Sequence, residues 1–137
     1  MTTLDAHLCF SLYVCSKEAI KQYRQPLTKF HLTFTQYIVM MVLWEQDGIS
    51  ESAIGKKVHL DSGTLAPLLK RLEKMALIKR VRVKENERQL SIQLTQKGRH
   101  LKDEMKDISH ELTQVLKMDQ DNTQKLKELL DELMDTL

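Results

Sequence analysis

One change of period constrains this chain more than any other feature. Up to residue 76 the apolar side chains recur every three or four residues, as in Leu65, Leu68, Leu69, Leu72 and Ala76, which is helical spacing. From Ile78 they recur every two. Val81 and Val83 alternate with basic residues in "IKRVRV", and Leu90, Ile92 and Leu94 alternate with polar ones in "QLSIQL", as in half-exposed strands. The polar tip "KENER" separates these runs. A shorter stripe, Ala53, Ile54 and Val58, precedes the leucines, with Ser50 as its candidate cap and "HLD" as the turn that follows. Two short one-sided helices joined by a turn form a helix-turn-helix, and the hairpin after them is a wing. Asp61 or Thr64 caps the second helix. Pro67 lies in its first turn if the cap is Thr64, and kinks it if the cap is Asp61.

Helices extend on both sides of this unit. The first is expected to start at Asp5 and to end before Pro26, because Leu4, Leu8, Leu12, Cys15, Ala19 and Tyr23 make one stripe. "TFTQ" has capping-box spacing, with Thr33 as cap and Gln36 reaching back, and opens an apolar helix through Trp44. Thr95 caps a long helix carrying Leu101, Met105, Ile108, Leu112 and Val115. "DQDN" interrupts it before a last stripe of Leu126, Leu129, Leu130, Leu133, Met134 and Leu137. With 137 residues, 4 Gly and 2 Pro, the chain reads as one mainly α domain with a small β wing. Residues 33–100 form the winged helix-turn-helix, and 1–32 with 101–137 are expected to be dimerisation helices, since their stripes need a partner.

Charge divides unevenly along the chain. Residues 1–48 carry four basic and four acidic side chains, 49–100 carry twelve and five, and 101–137 carry five and ten. The basic segment coincides with the helix-turn-helix and wing, which points to a polyanion. If the leucine side of the second helix is buried, Ser62, Gly63, Thr64, Pro67, Lys70, Arg71 and Lys74 are left free. Small hydroxyl residues at its start suit base edges, and the cations further along suit phosphates. The wing adds Lys79, Arg80, Arg82, Lys84 and Arg88, and an arginine at a hairpin tip suits a minor groove. Duplex DNA is favoured over RNA because no aromatic stacking platform is visible.

The two cysteines, Cys9 and Cys15, are six apart on one expected helix, about 9 Å of rise and roughly 240° of rotation. That separation is too great for a bond between them within the helix. Metal ligation is disfavoured too, because His7 and the thiols do not converge, and no metal or cofactor is expected. Cys15 falls in the apolar stripe and is expected to be a small buried residue. Cys9 falls in the first helical turn, where free N–H groups and the helix dipole favour a thiolate, so its own surroundings leave a core and a sensor role open. The longest apolar run, "YIVMMVLW", is too short to cross a bilayer and the N-terminus lacks a signal-peptide layout, so a cytoplasmic protein with no membrane partner is expected. No convergent His, acid or Gly-rich loop suggests an enzyme, although a thiol peroxidase would also use a reactive cysteine.

"LCFSLYVCSKEAIKQY", "LTFTQYIVMMVLWE", "LDSGTLAPLLKRLEK" and "ENERQLSIQLTQKG" together resemble the MarR family of winged-helix regulators. Within it they are most similar to the organic hydroperoxide resistance regulators and related thiol-switch proteins, over about residues 8–100. The resemblance implies a homodimeric regulator, a repressor, that binds an operator in double-stranded DNA and releases it when Cys9 is oxidised. It implies tyrosines around that thiol, some from the partner subunit. Tyr13 and Tyr23 match two of them, and the third is Phe34, which has no hydroxyl to donate. Ala66 replaces the usual Thr and Asn86 the usual Asp. The resolving cysteine that some members carry near the C-terminus is absent, which leaves a low-molecular-weight thiol, over-oxidation or a bond to another chain as the fates open to oxidised Cys9. A small aromatic ligand in place of an oxidant is the alternative trigger.

Overall fold

The computed structural model describes residues 3–83 and 86–137, and for 83 and 86–89 the backbone alone. After a 3-10 turn at Leu4–Ala6, the helices are α1 (Leu8–Lys21), α2 (Arg24–Thr28), α3 (Phe34–Glu45), α4 (Glu51–Val58) and α5 (Ser62–Lys74). α6 (Gln96–Glu104), α7 (Lys106–Thr113) and α8 (Gln120–Asp135) follow the wing, whose strands are β2 (Ile78–Val83) and β3 (Asn86–Leu94). A two-residue strand, β1 (Ile49–Ser50), precedes α4. It makes the sheet three-stranded and antiparallel in the order β1-β3-β2. Ile49 lies opposite Ile92, and Ile78 opposite Leu94.

The caps explain where the helices begin. Thr33 and Gln36 form the full capping box, Ser50 Oγ accepts from the Ala53 N–H at 3.1 Å, and Thr95 Oγ1 accepts from the Gly98 N–H at 3.0 Å. The first helix departs from expectation. Its cap is His7, whose Nδ1 accepts from the Phe10 N–H at 3.2 Å, because the residues around Asp5 are wound into the 3-10 turn. Its end, at Lys21, lies before Pro26 as expected, and Pro26 sits inside the first turn of α2, where its missing N–H has no helical acceptor to serve. Of the two candidate caps for α5, Asp61 is the one that acts: its Oδ1 accepts from the Thr64 N–H at 2.8 Å. Pro67 therefore lies within the helix and leaves the Gly63 carbonyl without its usual donor.

Leu65, Leu68, Leu69 and Leu72 are buried as their spacing required, against Leu27, Val39, Met40, Leu43, Ile54, Ile78 and Ile92. Ala76 is not part of that stripe. It ends the helix at φ +60 and is exposed, and Leu77 turns inward in its place. The long helix after Thr95 is divided at Met105, and Leu101, Met105, Ile108 and Leu112 are all buried against the chain's own core.

α1 and α8 behave otherwise: neither has a buried residue. Leu8 is 66% and Leu129 62% exposed. Cys15, expected to be buried, is exposed like Cys9, because α1 lies against none of the chain's own core.

Several elements meet at Gly98. The Trp44 indole N–H donates to its carbonyl at 2.9 Å, and a Cβ placed on it would stand 2.1 Å from the Leu77 carbonyl oxygen. Gly98→Ala is expected to destabilise the protein by at least 1–3 kcal/mol, roughly the range for overpacking, because the obstacle is backbone. Urea unfolding at fixed protein concentration measures this, and an unchanged midpoint would show that the contact is not tight.

Candidate DNA interface and thiol site

The buried leucines fix the rotation of α5, and this decides which residues it offers outward. Ser62, Gly63, Thr64, Pro67, Lys70, Arg71 and Lys74 are all exposed on its free side. Small residues lie at its N-terminal end, and cations follow one and two turns later. Lys79 and Arg82 extend the basic surface along β2, both exposed. Arg80 does not join them, for its Nε lies 3.6 Å from Glu73 Oε2 and the side chain is largely covered. Lys84 and the side chain of Arg88 lie outside the described residues.

The Asp61 cap sets the start of α5. Hydrogen bonds from the Thr64 backbone, and then its side chain, hold the Asp61 carboxyl below its ordinary value. A carboxyl lowered in the folded state contributes stability that is complete above its unfolded value and is lost as pH falls through the folded one. Lys56 falls within the basic segment 49–100, but neither it nor His59 stands among the expected DNA contacts, which begin at Ser62. Both border a cleft at the α4–α5 turn, together with Ser52 and Ser62. Their signal was available, since the first helix of such a unit crosses the DNA backbone.

The thiol residues fall into two groups. Cys9 occupies the second position of α1, in its first turn, and Tyr13 lies one turn further along, 62% exposed, with Lys17 Nζ 5.9 Å from its ring centre. Tyr23 and Phe34 meet elsewhere, with ring centres 4.9 Å apart, and Tyr37 joins them 6.5 Å from Tyr23. These three rings line a groove with Met41, Leu112 and Leu116, between α3 and the α7–α8 connection. Burial, and then the nearby Tyr23, push the Tyr37 phenol above its ordinary value. Among the described residues, no hydrogen bond joins Cys9 to a tyrosine of its own chain. Tyr37 was missed in the sequence because a tyrosine in an apolar run reads as core. No cluster of His, Cys, Asp or Glu able to hold a metal ion occurs among the described residues.

A helix-turn-helix with a basic free face and a hairpin wing defines the winged-helix class of DNA-binding regulators. Residues 19–105 match the family model described as transcriptional regulator SarA/Rot, and the chain belongs to that family. It is 40% identical, over 98% of its length and 91% of the relative's, to the organic hydroperoxide resistance transcriptional regulator of Bacillus subtilis. AbfR of Staphylococcus epidermidis is a structural relative. Overoxidized AbfR bound to DNA superposes with a TM-score of 0.79 at 32% identity, over 95% of this chain and 92% of that one. The disulfide-formed AbfR superposes less closely, with a TM-score of 0.64 at 35% identity over 94% and 86%.

Replacing Asp61 by Ala is expected to lower the melting temperature at pH 7 and to have little effect below the range where Asp61 titrates. Asp61→Asn, which keeps an acceptor oxygen, should retain most of the stability. Equal losses in both variants at both pH values would remove the cap from this account.

Proposed function

We propose that the protein is a homodimeric regulator that binds duplex DNA through α5 and the wing, and leaves it when Cys9 is oxidised by an organic peroxide. The observation that carries the reading is the position of Cys9: exposed, in the first turn of a helix that buries nothing in its own chain. A second copy covering α1 and α8 would enclose that thiol. Chemistry at Cys9 would then alter the contact that holds two DNA-reading helices at about 34 Å, the spacing of successive major grooves.

The step balances with groups already named. The Cys9 thiolate sulfur attacks the terminal hydroxyl oxygen of the hydroperoxide, the O–O bond breaks to give the sulfenic acid, and the alkoxide leaves and takes a proton from water as the alcohol. Condensation of the sulfenic acid with a low-molecular-weight thiol gives a mixed disulfide and water. The mixed disulfide is favoured over simple over-oxidation as the releasing form, because the relative AbfR is known overoxidized and still on DNA. No catalytic turnover belongs to this reading, since each thiol consumes one peroxide until it is reduced. A small aromatic ligand is the second reading, favoured by the groove that Tyr23, Phe34 and Tyr37 line. It requires the response to survive in Cys9→Ser.

Under an organic hydroperoxide with a small thiol present, Cys9→Ser should stay on DNA while wild type and Cys15→Ser are released. Gel shift or anisotropy reads the outcome, and release of Cys9→Ser would move the sensor elsewhere.

The DNA contacts make a second prediction. Lys70→Ala and Arg71→Ala should each lower the slope of log affinity against log salt by about one unit per protomer. Thr64→Ala should keep that slope and relax base preference. Unchanged slopes and selectivity in all three would place the interface on another surface.

A further inference from the structure

The turn between α4 and α5 is built around His59. This residue takes a left-handed conformation, φ +56 and ψ 42, and its N–H donates to the Gly55 carbonyl. The following residue closes back on the same carbonyl, with the Leu60 N–H 3.0 Å from it. Gly55 permits the closure, because a Cβ there would stand 2.9 Å from the Leu60 carbonyl oxygen. A left-handed residue that is not glycine is uncommon. Here it leaves the imidazole exposed at the edge of a cleft shared with Lys56, Ser52 and Ser62.

The charges around this cleft are unequal in what they leave free. Glu51 and Lys56 come from α4, and Asp61 from the turn. Asp61 is committed to the α5 cap through the Thr64 N–H. From α5 and β3 the described lining residues are Ser62, Leu65 and Leu90, none of which titrates. Histidine is the one side chain type in this set whose ordinary value lies near neutrality. His7, His31, His100 and His110 do not line the cleft.

When α5 enters a major groove by its N-terminal end, α4 lies across the backbone and the turn between them faces the sugar–phosphate chain. We infer that His59, beside Lys56, binds a backbone phosphate of the duplex, so that DNA binding takes up a proton at each protomer. This rests on the DNA-binding reading above but is independent of Cys9. A phosphate oxygen accepts from a protonated ring nitrogen, and its charge favours the cationic ring over the neutral one. Protons are therefore taken up on binding, so affinity rises as pH falls through the histidine range. A carboxylate facing the phosphate would act in the same direction but only at much lower pH, so a change between pH 7.5 and pH 6 reports the imidazole.

The test uses the reduced full-length protein and a fluorescent mixed-sequence duplex of about 30 base pairs at constant low salt, since phosphate contacts are independent of sequence. Between pH 7.5 and pH 6 the wild-type Kd should fall on the order of tenfold for the dimer, roughly threefold from proton uptake at each of two sites. His59→Asn, whose side chain suits a left-handed backbone, should show a nearly flat profile at the weaker affinity. His59→Lys should be flat at the tighter one. A wild-type Kd independent of pH, or a pH dependence that persists in His59→Asn, overturns the inference while leaving DNA binding intact. Failure to bind the duplex at either pH would overturn both.

Discussion

The close approach of α6 to the end of α5 at Gly98 is the contact on which the rest of the architecture depends. There is no room for a side chain, for even a Cβ would overlap the Leu77 carbonyl. The same few atoms are fastened from three directions. The Thr95 hydroxyl caps α6 and donates to the Ala76 carbonyl at 2.6 Å, Lys97 Nζ reaches the Met75 carbonyl at 2.8 Å, and the Trp44 indole holds the Gly98 carbonyl. Asp47 adds a fourth tie, accepting from the Leu94 N–H at 2.8 Å while Arg99 lies 3.4 Å from its other oxygen. Through this seam α5, the wing and α6 are tied together by hydrogen bonds. The angle at which α5 presents its basic face is thereby fixed relative to α6 and α7.

That rigidity is needed because the helices that would meet a second copy are at the other end of the same framework. α7 packs on the core through Ile108 and Leu112, and the connection 114–119 leads from it to α8, which buries nothing. α1 is equally bare and carries both thiols. In the proposed dimer an adduct on Cys9 would act by displacing one copy against the other, and the spacing of successive major grooves tolerates little displacement.

Much of this was legible in the sequence because its determinants are local. The capping box of Thr33 and Gln36, the caps at Ser50 and Thr95, the leucine stripe of α5 and the alternation of Leu90, Ile92 and Leu94 each occupy a few consecutive residues. β1 was invisible because two residues carry no period, and they become a strand only by pairing with β3. The division at Met105 has no proline or glycine to announce it. Ala76 matched the helical spacing, yet α5 ends at Lys74 and the next buried side chain is Leu77. Cys15 was misjudged for a different reason. An apolar stripe states that a face will be covered, not which chain covers it. For the candidate site the same division holds: the free face of α5 followed from its buried face, whereas the separation of Cys9 from Tyr23 and Phe34 is a matter of tertiary placement that no spacing encodes.

The central claim is that the chemical state of Cys9 decides whether the protein is on DNA. The most direct measurement treats the protein–duplex complex with less than one equivalent of an organic hydroperoxide in the presence of a small thiol. DNA-bound and DNA-free protein are then separated, and the modification of each pool is read by peptide mass spectrometry. The account predicts that Cys9 carries the adduct in the free pool and is an unmodified thiol in the bound pool, with Cys15 alike in both. Equal modification of Cys9 in the two pools would contradict it.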